Sequence, residues 1–201
     1  MSNKVLRPET TEPVTAFTRD EIVWKPWVTP LTAEELTEEH LSAFKSAAHI
    51  KSSYFRLLAR DTAILRSRSR SDQDIFYTTR DGLPRAEREL AAVAVSRCNG
   101  CIYCASVHAR FAATYSKREN DVDVFLEKGL AADLDKRWQA IASASFALSA
   151  TPPTFGAGHA AALRDAGLTT LEILDVINCA AFFNWANRLM LSLGEPDQPK
   201  T

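Results

Sequence analysis

From Thr32 onward apolar residues recur at helical spacing nearly everywhere, and no run alternates with period two. Thr32-Ala-Glu-Glu35 has the form of a capping box and predicts the start of a first helical region. A second stretch is expected from about Ser53 to Arg66, with a short piece after Asp72. Gly82-Leu-Pro84 predicts the start of a helix from about Arg85 to Cys98, with proline in the permitted first turn. Asn99-Gly100 stops that helix, because both residues tolerate a left-handed backbone. The next helix is predicted from Cys101 to about Tyr115, then one near Val122 to Lys128, one from about Asp133 to Ala150, and a short one near His159 to Ala166. Thr169-Thr-Leu-Glu172 is a second capping box, opening a last helix to about Leu193 that Gly194 and Pro196 close. The fold class is all-α, a single helical domain over residues 31–201. Residues 1–30 carry Pro8, Pro13, Pro26 and Pro30 and read as an extended N-terminal arm. Trp24 and Trp27 suggest that this arm packs onto a body, its own or a neighbour's.

The 201 residues include 24 basic and 25 acidic side chains, a formal charge of -1. Nucleic acid is therefore not an expected partner. The densest basic patch, Arg66-Ser-Arg68-Ser-Arg70, reads as a solvated helix end, with an anion site as the alternative. The most apolar stretch, residues 171–193, is interrupted by Glu172, Asp175, Asn178, Asn184, Asn187 and Arg188, so it reads as a core helix and no membrane partner is expected. The first residues lack the apolar segment of a signal peptide, and a cytoplasmic location follows as an expectation.

The chemistry concentrates in Cys98-Asn-Gly-Cys101-Ile-Tyr-Cys104-Ala-Ser-Val-His108. A C-x-x-C pair lets two thiols bond across one helical turn, and His108 falls on the face of Cys104. Leu90-Ala-Ala-Val-Ala-Val95 is apolar all round and predicts a buried helix, so Glu89 beside it needs a partner. If the helices either side of Asn99-Gly100 pack antiparallel, the rise per residue puts Glu89 roughly 15 Å and His108 roughly 13 Å from the corner, at nearly one depth, with Cys104 about a turn nearer. A carboxylate–imidazole–thiol relay follows if the faces match. Cys101, Cys104, Ala105, His108, Phe111, Ala112 and Tyr115 share one helix face. The helix start at Cys101 and the base at His108 are both expected to favour sulfur anions.

Glu89, Cys101-x-x-Cys104 and His108, at these spacings, resemble the active-site motif of the alkylhydroperoxidase D family, within the carboxymuconolactone decarboxylase-like superfamily. Ala86-Glu-Arg-Glu-Leu90, Val95-Ser-Arg-Cys-Asn-Gly-Cys-Ile-Tyr-Cys104 and the tail Asn184-Trp-Ala-Asn-Arg-Leu-Met-Leu-Ser-Leu-Gly194 are similar to its peroxidase-related subgroup. The resemblance implies homo-oligomers, trimers or hexamers, and reduction of organic hydroperoxides by a dithiol. It makes Cys104 the peroxidatic cysteine and Cys101 the resolving one, with His108 and Glu89 relaying protons. Better characterised members carry a second histidine where this chain has Tyr103, a poor base near neutral pH.

Other readings stay open from the residues: a thiol–disulfide oxidoreductase or redox sensor acting on a protein, a lactone decarboxylase (disfavoured, since those enzymes are not organised around a cysteine pair), or a helical oligomer with a vestigial site. Zinc or an iron–sulfur cluster on the Cys98–His108 stretch is disfavoured because no second ligand pair follows. No nucleotide fingerprint is visible. No cofactor is expected, and the electrons are expected from another protein or a small dithiol. Cys98, Cys179, Phe182, Phe183 and Trp185 read as packing residues, and His40, His49 and His159 as surface or satisfied ones.

Overall fold

The computed structural model describes residues 5–6, 14–78 and 80–199. Along the described chain come β1 (Val23–Pro26), α1 (Glu38–Ala43), α2 (Ala47–Lys51), α3 (Ser53–Leu58), α4 (Thr62–Tyr77), α5 (Arg85–Asn99) and α6 (Ile102–Ser116). Next are α7 (Glu119–Lys128), a 3-10 turn (Gly129–Ala131), α8 (Lys136–Ser149), α9 (Ala157–Asp165), α10 (Thr170–Leu193) and β2 (Gly194–Asp197). The fold is all-α apart from that strand pair. Among the described residues no helix is long and apolar enough to cross a membrane.

Helix α5 is the axis of the core. It packs against α4, α6, α8 and α10, and residues 87–96 are buried without a break. Full burial of Leu90, Val93 and Val95 contributes about 1.5–3 kcal/mol each. Gly100 then turns the chain with φ 76, a left-handed value that a Cβ would disfavour. This tight corner lays α6 back along α5 and brings Glu89 level with His108.

Three boundaries differ from the sequence reading. Thr32–Glu35 forms only half of its predicted box: the Thr32 amide donates to the Glu35 carboxylate at 2.8 Å, but the helix waits for Thr37, which caps α1. The stretch expected from Ser53 to Arg66 breaks at 59–61, where the Asp61 side chain accepts from the Ile64 amide at 3.0 Å and starts a new helix. That helix, α4, then runs unbroken through Asp72 to Tyr77, absorbing the separate piece expected there.

The chain also contains a short sheet that the absence of period two did not suggest. β1 and β2 pair antiparallel, with Trp24 opposite Pro196 and Pro26 opposite Gly194. A Cβ at position 194 would run into the Lys25 carbonyl and the Trp24 ring, so glycine permits the close approach. Lys25 forms an ion pair with the fully buried Asp197, and the Trp27 amide donates to the Leu193 carbonyl at 2.7 Å. The pairing seats Trp24 against Tyr54, Leu57, Cys101, Cys104 and Met190. Pro8 and Pro13 lie outside the described residues.

Candidate active site

Glu89 is fully buried, and its carboxylate has two partners. Oε1 accepts from Arg85 Nε at 2.6 Å, and Oε2 meets His108 Nδ1 at 2.5 Å. The expected pairing of Glu89 with His108 is therefore formed, while Arg85, one turn before Glu89 on α5, is a partner the sequence reading missed. Its signal was the i, i+4 spacing of opposite charges on one helix. With Nδ1–H donating to a carboxylate, Nε2 of His108 is left as the basic nitrogen. Phe183 stands edge-on to the imidazole, with centroids 4.2 Å apart, so this phenylalanine orients the base as well as packing the core.

Cys101 occupies the N-cap of α6, and Cys104 sits one turn in. Both are unbridged and buried, at 2% and 6% exposure. Cys104 and His108 line one cavity of about 170 Å³, together with Tyr54, Arg68, Phe76 and Met190. Cys101 does not reach that cavity. The structure thus brings together all four expected site residues and gives the two thiols different access.

The ionisation of Cys104 differs from expectation. Burial pushes its thiol well above the ordinary range, and the adjacent Cys101 thiol pushes the same way. Two groups oppose that push, the Asn187 side-chain amide and the Arg68 guanidinium. The resting sulfur is a thiol, and no hydrogen bond joins it to His108. Cys104 lies in the first turn of α6, within reach of the helix dipole, but burial outweighs that influence.

Asn187 is the second residue the sequence reading missed. It is completely buried on α10. Its Oδ1 accepts from Asn99 Nδ2 at 3.3 Å, and its Nδ2 donates to Ser96 Oγ at 3.1 Å. Ser96 Oγ in turn donates to the Ala92 carbonyl at 2.7 Å. These bonds fix the amide that faces Cys104. The signal was a pair of asparagines, Asn184 and Asn187, one turn apart on the last helix.

Cys98 and Trp185 depart from the packing role expected of them. Cys98 is half-exposed, with Sγ 3.7 Å from the Phe146 carbonyl; the last turn of α5 carries it away from Cys101 and Cys104. The four potential metal ligands of the Cys98–His108 stretch do not converge, and His108 Nδ1 is committed to Glu89. Phe111 and Tyr115 lie at the solvent end of the α6 stripe, which is not covered there, and Trp185 is exposed too. His40 and His159 each accept, through Nδ1, from the amide of their helix cap. His49 stacks on Phe55 at 3.7 Å but buries Nδ1 without a hydrogen-bond partner among the described residues. In the basic patch Arg66 and Arg70 are solvated, with side chains 44% and 85% exposed, whereas Arg68 is 9% exposed because α4 turns it inward.

A sequence model of the carboxymuconolactone decarboxylase family matches residues 63–146, the span holding Glu89, both cysteines and His108. No curated protein sequence matches the chain. Among solved structures, an alkylhydroperoxidase AhpD core, an uncharacterized peroxidase-related protein from Ralstonia eutropha JMP134, is 26% identical with a TM-score of 0.63, over 70% of this chain and 73% of that one. An uncharacterized peroxidase-related protein from Silicibacter sp. TM1040 is 22% identical with a TM-score of 0.70, over 84% and 92%. The debrominase Bmp8 is 16% identical with a TM-score of 0.68, over 82% and 88%. The last two are similar in fold alone.

Proposed function

Since the chain carries a carboxymuconolactone decarboxylase-family segment and has the alkylhydroperoxidase D-like fold, we propose that it is a thiol-dependent peroxidase reducing small organic hydroperoxides to alcohols. One observation carries this reading: Cys104 opens onto the same cavity as a histidine whose other nitrogen is held by a buried carboxylate. His108 Nε2 takes the Cys104 proton as the peroxide arrives. The thiolate attacks the terminal peroxide oxygen and the O–O bond breaks. Two electrons pass from sulfur to the peroxide, leaving Cys104 as a sulfenic acid. The alkoxide recovers the proton from His108 and departs as the alcohol. Glu89 holds the transient imidazolium, and Arg85 holds Glu89. The Cys101 thiol then attacks the Cys104 sulfur, water leaves, and a Cys101–Cys104 disulfide forms. A dithiol reduces that bond through a mixed disulfide and closes the cycle.

The burial of both sulfurs supports small-molecule chemistry over exchange with a protein disulfide, because a protein partner has no direct access to them. Four unbridged cysteines suit a reducing compartment such as the cytoplasm. Exposed Phe111, Tyr115, Leu171, Leu174 and Trp185 are surfaces that a homo-oligomer, trimer or hexamer, would cover.

The test is consumption of cumene hydroperoxide with dithiothreitol as donor, together with mass mapping after one equivalent of peroxide. Turnover should require Cys104, and the mapped product should be a Cys101–Cys104 bond. Full turnover by Cys104→Ser would end this mechanism.

A further inference from the structure

Beside Cys104 the cavity holds two polar groups, Tyr54 and Arg68, that exchange no proton or bond in the peroxidase steps, although the charge of Arg68 favours the thiolate. Tyr54 is 7% exposed, and its hydroxyl is shielded from solvent with no hydrogen-bond partner among the described residues. The Arg68 side chain is 9% exposed, and Nε and Nη1 are likewise shielded, with no hydrogen-bond partner among the described residues. Both residues line the cavity with Cys104. The guanidinium is clamped between two rings, 5.1 Å from the Phe55 centroid and 5.4 Å from that of Phe182. Among the described residues its one ionic contact is Asp72, with Nη1–Oδ2 at 3.3 Å outside hydrogen-bond geometry. Tyr54 titrates high, at about 12, chiefly because it is buried; Arg68 lies close enough to oppose that push, yet no bond of proper geometry joins the two.

Buried donors without acceptors cost free energy on the order of 1–3 kcal/mol each, more when charged. A protein retains such a cluster at low cost only if something else accepts from it. An apolar peroxide body cannot; Phe76, Val107, Phe183 and Met190 add apolar wall, and of the other polar lining residues, Ser52, Asp72, Tyr77, Arg85 and Tyr103, none hydrogen-bonds the Tyr54 hydroxyl or Arg68 Nε and Nη1. A guanidinium fork and a phenol converging in a half-apolar cavity match a carboxylate in both charge and donor count. The volume is slightly larger than the ~150 Å³ known to hold a benzene ring.

We propose that Arg68 and Tyr54 form a receptor for a carboxylate, so that the cavity takes a small acid with an aromatic or branched apolar body and presents its reactive end to Cys104. That the reactive end is a hydroperoxide rests on the function proposed above; the acid receptor does not.

The probe is benzoate, with neutral benzamide as its control, titrated calorimetrically into the reduced protein. Benzoate is expected to bind at least about tenfold more tightly than benzamide, and to slow iodoacetamide labelling of Cys104. Arg68→Met keeps the apolar stem between the rings and should bring benzoate down to the benzamide level. Tyr54→Phe should weaken benzoate several-fold, with circular dichroism confirming that both variants fold. No preference in the unmodified protein, or a preference that survives in folded Arg68→Met, overturns the receptor. A kinetic arm compares cumene hydroperoxide with its 4-carboxy derivative, and kcat/KM should favour the acid about tenfold. If neither peroxide turns over while benzoate binding behaves as expected, the receptor stands and the peroxide chemistry is wrong. If both turn over equally and benzoate shows no preference, the peroxidase stands and the receptor is wrong.

Discussion

The ring of Trp24 meets the ring of Tyr54 edge-on, with centroids 5.6 Å apart and planes at 83°. Through this contact an N-terminal strand becomes part of the wall around the cysteine pair. Trp24→Ala removes the largest side chain of that cover and should cost about 3–5 kcal/mol of stability. It should also speed iodoacetamide labelling of Cys101 and Cys104 several-fold, read by mass spectrometry at a temperature where the variant is folded. Unchanged labelling would show that β1 does not shield the sulfurs.

Glu89→Gln preserves shape but leaves Arg85 and His108 sharing a neutral amide. Breaking a buried ionic network of this kind costs about 3–5 kcal/mol, and loss of the imidazolium's counter-charge should lower peroxide turnover by roughly 10²–10⁴. His108→Gln should match the loss of turnover while losing less stability, since Glu89 then keeps Arg85. Turnover within twofold of the parent in Glu89→Gln, measured on folded protein, would remove the carboxylate from the relay.

Asn187→Leu replaces a fixed amide with an apolar group beside Cys104. The thiolate loses one of the two groups that favour it, so labelling of Cys104 at neutral pH should slow roughly tenfold. Ser96→Ala removes a bond that orients the amide and should have a smaller effect in the same direction. A labelling rate that stays constant across both variants would assign Asn187 to packing only.

Stability should fall in alkali. Burial holds Cys104 and Cys179 above the ordinary thiol range, and Tyr54 at about 12. In the unfolded chain thiols titrate near ~8.5 and phenols near ~10. Above those values the unfolded state has released protons that the folded state keeps, so unfolding gains with pH. The contribution is whole below about pH 8 and declines as pH rises through the folded values. Urea midpoints at pH 7.5, 9 and 10 should decrease in order, and Cys179→Ala should flatten the decline. A midpoint that rises with pH would contradict this account.

The buried character of α5 was legible because Leu90 to Val95 leave it no polar face. The corner was legible because Asn99-Gly100 admits a left-handed residue and little else. Together these placed Glu89 level with His108 on the condition that the two helices pack antiparallel with matching faces, and the Glu89–His108 contact meets that condition. The role of Arg68 was not legible: three arginines at alternate positions look equally solvated until the rotation of α4 carries one of them between Phe55 and Phe182. Asn187 was hidden for a similar reason, since its partners Ser96 and Asn99 lie about 90 residues away in the chain.

Local pattern by itself determined most of the helices and the left-handed stop at Gly100, because each depends on neighbours within a turn or two; it also singled out Glu89, Cys101, Cys104 and His108 as candidates. Only tertiary packing decided that Cys104 is a buried thiol, that Trp24 packs into the same cluster, and that Tyr54 and Arg68 line the same cavity. Desolvation and long-range contact set those properties, and both are summed over segments that meet only when the chain is folded.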